Sequence, residues 1–144
     1  MDSFDLLHRL FGRMYRSLLQ YVGESWPWSP AQKETAEHAF LNELLAAQMV
    51  DVRDLADFLV AHRVPLFPDQ YPVKFTDLQY LSLDHLVREV LDDQQELLGD
   101  LDAGAKALAT FPEAAELVKS IAESERKLVE RLKSFVNAPA TAGV

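Results

Sequence analysis

The fold is decided by a proline-rich stretch in the middle of the chain, Arg63–Phe75, which reads RVPLFPDQYPVKF. Proline fixes φ and has no N–H to donate, so Pro65, Pro68 and Pro72 predict an extended, semi-rigid path. At ~3.1 Å per residue the stretch spans about 40 Å. Links between bundled helices usually take about 2–8 residues, so this one is predicted to cross the length of a helical bundle.

Four segments around this stretch show helical periodicity, and none alternates as a strand would. The first two are predicted over 3–23 and 29–62. The third begins at a capping box, Thr76 to Gln79, and the fourth runs from a Thr110 cap to Val136. Short links predict two antiparallel hairpins. The expected fold is therefore all-α, a four-helix bundle of two hairpins joined by a long proline-rich crossover.

Length, charge and cysteine content limit the classes of protein. The chain of 144 residues predicts one domain over 1–137 and a disordered tail over 138–144. A net charge of −9 repels phosphate backbones and anionic lipids, so neither nucleic acid nor membrane is an expected partner. The chain has no cysteine, and the residues around its first methionine are acidic rather than basic, so a cytoplasmic location is predicted.

The two hairpins and their crossover resemble the ferritin-like superfamily over about residues 3–136. The run Tyr71–Leu78, YPVKFTDL, is similar to a segment of an uncharacterised group of that superfamily. The resemblance implies a Glu from each of two helices and Glu-x-x-His from each of the other two. Here the first helix has no carboxylate between Asp5 and Glu24, and the fourth has no histidine. We therefore expect no metal and no cofactor.

One carboxylate–imidazole pair remains a candidate for metal binding. Glu34 and His38 lie four positions apart on the predicted second helix and would share a face. Two ligands do not make a metal site, so an ion pair on the helix surface, or a hydrogen-bonded histidine at the edge of the core, is the simpler interpretation.

Polar residues interrupt the inward faces near the helix middles. They are Gln48, Gln94, Ser124 and Glu125. A hydrogen-bonded layer that fixes the register of the helices is the favoured interpretation. A ligand cavity, or the relic of a ligand layer, is the alternative.

Two further features concern contacts with partners. Trp26 and Trp28 either plug the open end of the bundle or form an exposed anchor for a partner. The arginines on the first helix and the acids on the third are either two solvated faces or two faces that meet across a subunit boundary. The second interpretation predicts a homodimer.

The sequence has no spacing typical of a Ser-His-Asp triad and no glycine-rich phosphate loop, so no catalytic residue is assigned. It favours a non-catalytic helical-bundle protein that acts through protein–protein contact or self-association. A divergent ferritin-like metal-binding or oxidoreductase protein is the first alternative. A small-molecule-binding bundle is the second.

Overall fold

The computed structural model describes residues 2–67 and 70–138, and every regular element in these ranges is helical. The α-helices are α1 (Ser3–Tyr15), α2 (Leu18–Glu24), α3 (Ala36–Ala61), α4 (Leu83–Ala107) and α5 (Pro112–Val136). Two 3-10 helices cover Gln32–Glu34 and Val73–Tyr80. The all-α prediction is confirmed. Pro68 and the predicted tail from residue 139 onward lie outside the described residues. No helix within the described ranges is both long and apolar enough to cross a membrane.

The first predicted helix, 3–23, is in fact two helices. Ser17 adopts extended backbone at φ −67° and ψ 163°, and its hydroxyl accepts from the backbone N–H of Gln20. Asp93 on α4 accepts from the backbone N–H of Leu18 at 2.8 Å. The first N–H groups of any helix lack partners within that helix. Ser17 and Asp93 supply these partners, so the chain starts a new helix here although its apolar stripe continues.

The second predicted helix begins later than residue 29. Ser29 and Gln32 do form reciprocal hydrogen bonds, at 3.0 and 3.2 Å, but only the short 3-10 helix Gln32–Glu34 follows them. Helix α3 starts after Thr35, whose hydroxyl accepts from the backbone N–H of His38 at 3.2 Å. The extended backbone of Thr35 separates the two helical segments.

The third predicted helix also begins later, and its predicted cap was wrong. Thr76 lies inside the 3-10 helix Val73–Tyr80, where its hydroxyl donates to the carbonyl of Val73 at 2.8 Å. Ser82 is the residue that caps α4, by accepting from the backbone N–H of His85. The fourth helix ends at Val136 as predicted, but it starts at Pro112 after Phe111, and Thr110 does not cap it.

Aromatic contacts at the two ends of α3 show how this helix runs relative to α5. Phe40, near the start of α3, stacks on Phe135 at the end of α5, with ring centroids 4.2 Å apart. Phe58, near the end of α3, lies 5.9 Å from Phe111, directly before α5. Helices α3 and α5 therefore run antiparallel. Since α4 and α5 form a hairpin, α3 and α4 run parallel.

The described parts of the link between α3 and α4 contact first α1 and then α2, in chain order. The backbone N–H of Phe67 donates to His8 Nε2 near the start of α1 at 3.0 Å. Further along, the Arg16 guanidinium lies 4.6 Å from the centre of the Tyr71 ring. The Phe75 ring then lies 5.6 Å from that of Tyr21 on α2. These contacts hold the link against the helices that it passes.

The apolar core consists of two clusters, one toward each end of the helices. One cluster includes Met14, Val52 and Leu97. The other includes Leu18, Leu44 and Val90. On α3 and α4, the buried apolar residues before Gln48 and Gln94 belong to one cluster and those after them belong to the other. Polar residues therefore occupy the level between the two clusters.

Candidate functional site

Six polar side chains are buried at the level between the two apolar clusters, and we call them the polar layer. They come from the α1–α2 break, α3, α4 and α5. The members are Ser17, Gln20, Gln48, Asp51, Gln94 and Glu125. Burial of this many polar groups is tolerated only where they bond to one another.

Gln48 is the centre of the layer. Its Oε1 accepts from Ser17 Oγ and from Gln20 Nε2, both at 2.9 Å. Its Nε2 donates to Gln94 Oε1 at 2.8 Å and to Glu125 Oε1 at 2.7 Å. A primary amide has two donor hydrogens and two acceptor lone pairs. All four are used here, so this single side chain joins every element that contributes to the layer.

Glu125 and Asp51 form a buried carboxyl pair, with exposed fractions of 0% and 5%. Burial, together with the hydrogen bond to Asp51, raises the pKa of Glu125 to about 8, against the weaker opposing effect of Gln48 and Gln94. Glu125 is therefore a neutral acid at pH 7. Its Oε2 and Asp51 Oδ2 have no hydrogen-bond partner within the described part of the chain. A protonated Glu125 has a hydroxyl to donate, and a carboxylate such as Asp51 is an acceptor for it.

The break between α1 and α2 is what brings Ser17 and Gln20 into the layer. Asp93 on α4 stabilises the break through two contacts. Its carboxylate accepts a hydrogen bond from the Leu18 N–H, and it forms an ion pair with Arg13, whose Nη2 lies 2.9 Å from Asp93 Oδ1. The Arg13 side chain also lies 3.6 Å from Asp100. The charge contact that the sequence analysis placed between subunits is thus made by Arg13 within one chain.

Sequence reasoning found half of this layer. Gln48, Gln94 and Glu125 lie together as expected, whereas Ser124 is half-buried on α5 and forms no hydrogen bond to the layer. Ser17, Gln20 and Asp51 were missed. The signal for the first two was present, because Ser17-Leu-Leu-Gln20 has the spacing of a capping box in the middle of an apolar run.

Glu34 and His38 are not assembled into a pair on one helix. Glu34 is exposed in the 3-10 helix Gln32–Glu34, and the extended Thr35 separates it from His38. The His38 ring packs edge-on against Trp28, with centroids 4.6 Å apart. Across residues 2–67 and 70–138, no group of three His, Cys, Asp or Glu side chains is placed to hold a metal ion.

The turn that carries Trp26 and Trp28 packs against one apolar cluster of the same chain. Trp26 is 7% exposed and belongs to the apolar cluster that contains Val22 and Leu41. The indole N–H of Trp28 donates to the carbonyl of Val22 at 3.0 Å, and the two indole rings are 6.3 Å apart. These contacts agree with the interpretation of the turn as an end plug.

No protein-family model, curated protein or solved structure matches this chain. The ferritin-like resemblance would imply metal ligands at the level of the polar layer, and the residues present do not fit them. The Gln48 amide is fully used by protein partners. Neutral amides are poor ligands for such metals, and the one at the centre of this layer has no free lone pair to offer.

Proposed function

We propose that this chain is a non-catalytic helical-bundle protein that acts through protein–protein contact on the outer face of α3. The observation that carries the proposal is an exposed stripe on this helix, at alternating three- and four-residue steps. Its members, which we call the α3 stripe, are Ala39, Glu43, Ala46, Val50, Arg53, Asp57 and Val60. Val50 is 56% exposed and Val60 is 59% exposed.

The α3 stripe differs from the outer face of α5. At comparable steps α5 exposes only charged and hydroxyl side chains, which are Glu116, Lys119, Ser120, Glu123, Lys127 and Glu130. A helix that packs on one side only carries an apolar stripe toward the core and polar residues toward water. The small and apolar members of the α3 stripe depart from that rule. They support a second surface that is covered by a partner.

The interior supports a structural role rather than a binding or catalytic one. The layer's amide and hydroxyl groups are bonded to one another and to Glu125 Oε1. A ligand entering the layer would have to break these bonds. The bonds within the layer disfavour both alternatives, the small-molecule bundle and the divergent metal-binding or oxidoreductase protein.

The proposal includes a ferritin-like four-helix bundle in the cytoplasm. In it α1 and α2 together are the first helix, and the link that includes Tyr71 and Phe75 is the crossover. The parallel directions of α3 and α4 support this topology, as do the contacts of the link along α1 and α2. A cysteine-free chain suits a reducing compartment.

The test places a photo-crosslinking amino acid at Val50, or at Ser120 as the matched exposed control on α5. Both variants are produced in the cell that makes the protein, and each is irradiated. We expect a discrete protein adduct from position 50 and none from position 120. An equal yield at the two positions, or no adduct at either, would contradict a contact function for the α3 stripe.

A further inference from the structure

We propose that the partner on the α3 stripe is a second copy of this chain. The two α3 helices would pack antiparallel, with a two-fold axis between the levels of Ala46 and Val50. This inference rests on the proposed function, since it requires the α3 stripe to be a contact surface. It adds the identity of the partner and the register of the contact.

The register follows from two-fold symmetry, which makes each contact occur twice. When the axis passes midway between Ala46 and Val50, Ala46 of one copy faces the partner's Val50. In the same register Glu43 faces the partner's Arg53. The small Ala46 leaves room for the larger Val50, so the centre of the contact is apolar and each end of that centre carries one ion pair.

The charges on the α3 stripe suit this register. Arg53 forms no ion pair within the described ranges, although it lies beside the exposed Val50. Glu43 contacts Arg131 at 2.7 Å, but its side chain is still 64% exposed and can accept a second cation. An acidic and a basic residue ten positions apart, on either side of an apolar centre, are self-complementary only in an antiparallel pair.

Two other arrangements of the same helices place like charges together. A parallel pair sets Glu43 against the partner's Glu43 and Arg53 against the partner's Arg53. An antiparallel pair centred on Val50 sets Glu43 against the partner's Asp57. Like charges that face each other disfavour a complex, so both arrangements are selected against.

Charge reversal tests the register by sedimentation velocity on purified protein over a range of concentrations. We expect wild-type dimer and, for Glu43→Arg or Arg53→Glu alone, a dissociation constant raised about tenfold or more, since two attractions become two repulsions. The double reversal E43R/R53E restores the opposite charges and should restore the dimer. Arg88→Glu makes the same change on the exposed face of α4 and should leave the dissociation constant unchanged.

A second measurement is independent of the charge variants and of their folding. The chain has no cysteine, so Ala46→Cys and Val50→Cys each introduce a single thiol at an exposed position. A mixture of the two variants should form a disulfide-linked dimer faster than either variant alone, because these positions face each other.

The second-copy proposal is overturned by wild-type monomer at every concentration, by a double reversal no better than the single ones, or by equal disulfide rates. Such a result together with an adduct of Val50 to a different protein rejects the second copy and keeps the contact function. Absence of any adduct at Val50 rejects the contact function itself.

Discussion

Gln48 and Val50 lie two positions apart on α3. The polar glutamine faces the core and the apolar valine faces solvent, which is the reverse of the usual arrangement. The amide is fully buried and the valine is 56% exposed. The buried amide is stable because all four of its hydrogen-bonding positions are used. The exposed valine side chain forms no hydrogen bonds with water, and its burial against a partner would be favourable. Composition alone therefore does not tell a structural face from a contact face; the deciding property is whether each group has a partner within the chain.

The largest expected effect comes from removing the centre of the polar layer. Gln48→Ala leaves a cavity and leaves Ser17, Gln20 and Glu125 short of partners in the core. We expect a loss of about 3–5 kcal/mol in the free energy of unfolding, measured by urea denaturation. Gln95→Ala, an exposed change on α4, is the control and should cost less than about 0.5 kcal/mol. A Gln48 variant as stable as this control would show that the layer is not structural.

The next effect concerns the proton on Glu125. Glu125 loses its proton near pH 4.5 when unfolded, whereas its pKa in the folded chain is raised to about 8. Between these values the folded state binds more protons, so this group's contribution to stability falls as the pH rises. Glu125→Gln removes the titration. The unfolding free energy of wild type minus that of this variant should decrease from pH 5 to pH 8, as followed by urea denaturation at each pH.

Glu96→Gln, on the exposed face of α4, is the matched control and should show no such trend. A flat difference between wild type and Glu125→Gln would mean that Glu125 is ionised over the whole range. Glu125 would then not be a neutral acid at pH 7.

A smaller effect is expected at the break between α1 and α2. Ser17 caps α2 and donates to Gln48, so Ser17→Ala should cost about 1–2 kcal/mol of unfolding free energy. Ser120→Ala, an exposed position inside α5, should be neutral or slightly stabilising, because alanine is the better helix former. If α1 and α2 were one continuous helix, Ser17→Ala would behave as Ser120→Ala does.

Local sequence patterns predicted the presence of helices better than their ends. The periodic apolar residues of the first segment continue from Met14 through Leu18, so periodicity alone could not show the break at Ser17. The break depends on Asp93, which is 75 positions away from the Leu18 N–H that it accepts. Contacts of this kind arise only once the helices have packed.

The errors at the starts of α3 and α4 have a local cause. Each start carries two competing capping residues, Ser29 and Thr35 before α3, and Thr76 and Ser82 before α4. In both cases the N-cap is the residue closer to the helix, Thr35 for α3 and Ser82 for α4. Asp51 was missed because a carboxylate predicts an outward position, and its partner Glu125 is contributed by a different helix.

The most direct test of the contact face is sedimentation velocity on Val50→Lys beside wild type at equal concentration. The side chain is exposed, so the variant should keep its helicity and change the stability of the monomer by less than about 0.5 kcal/mol. Our account predicts that wild type sediments as a dimer and Val50→Lys as a monomer. Identical sedimentation of the two proteins would contradict it.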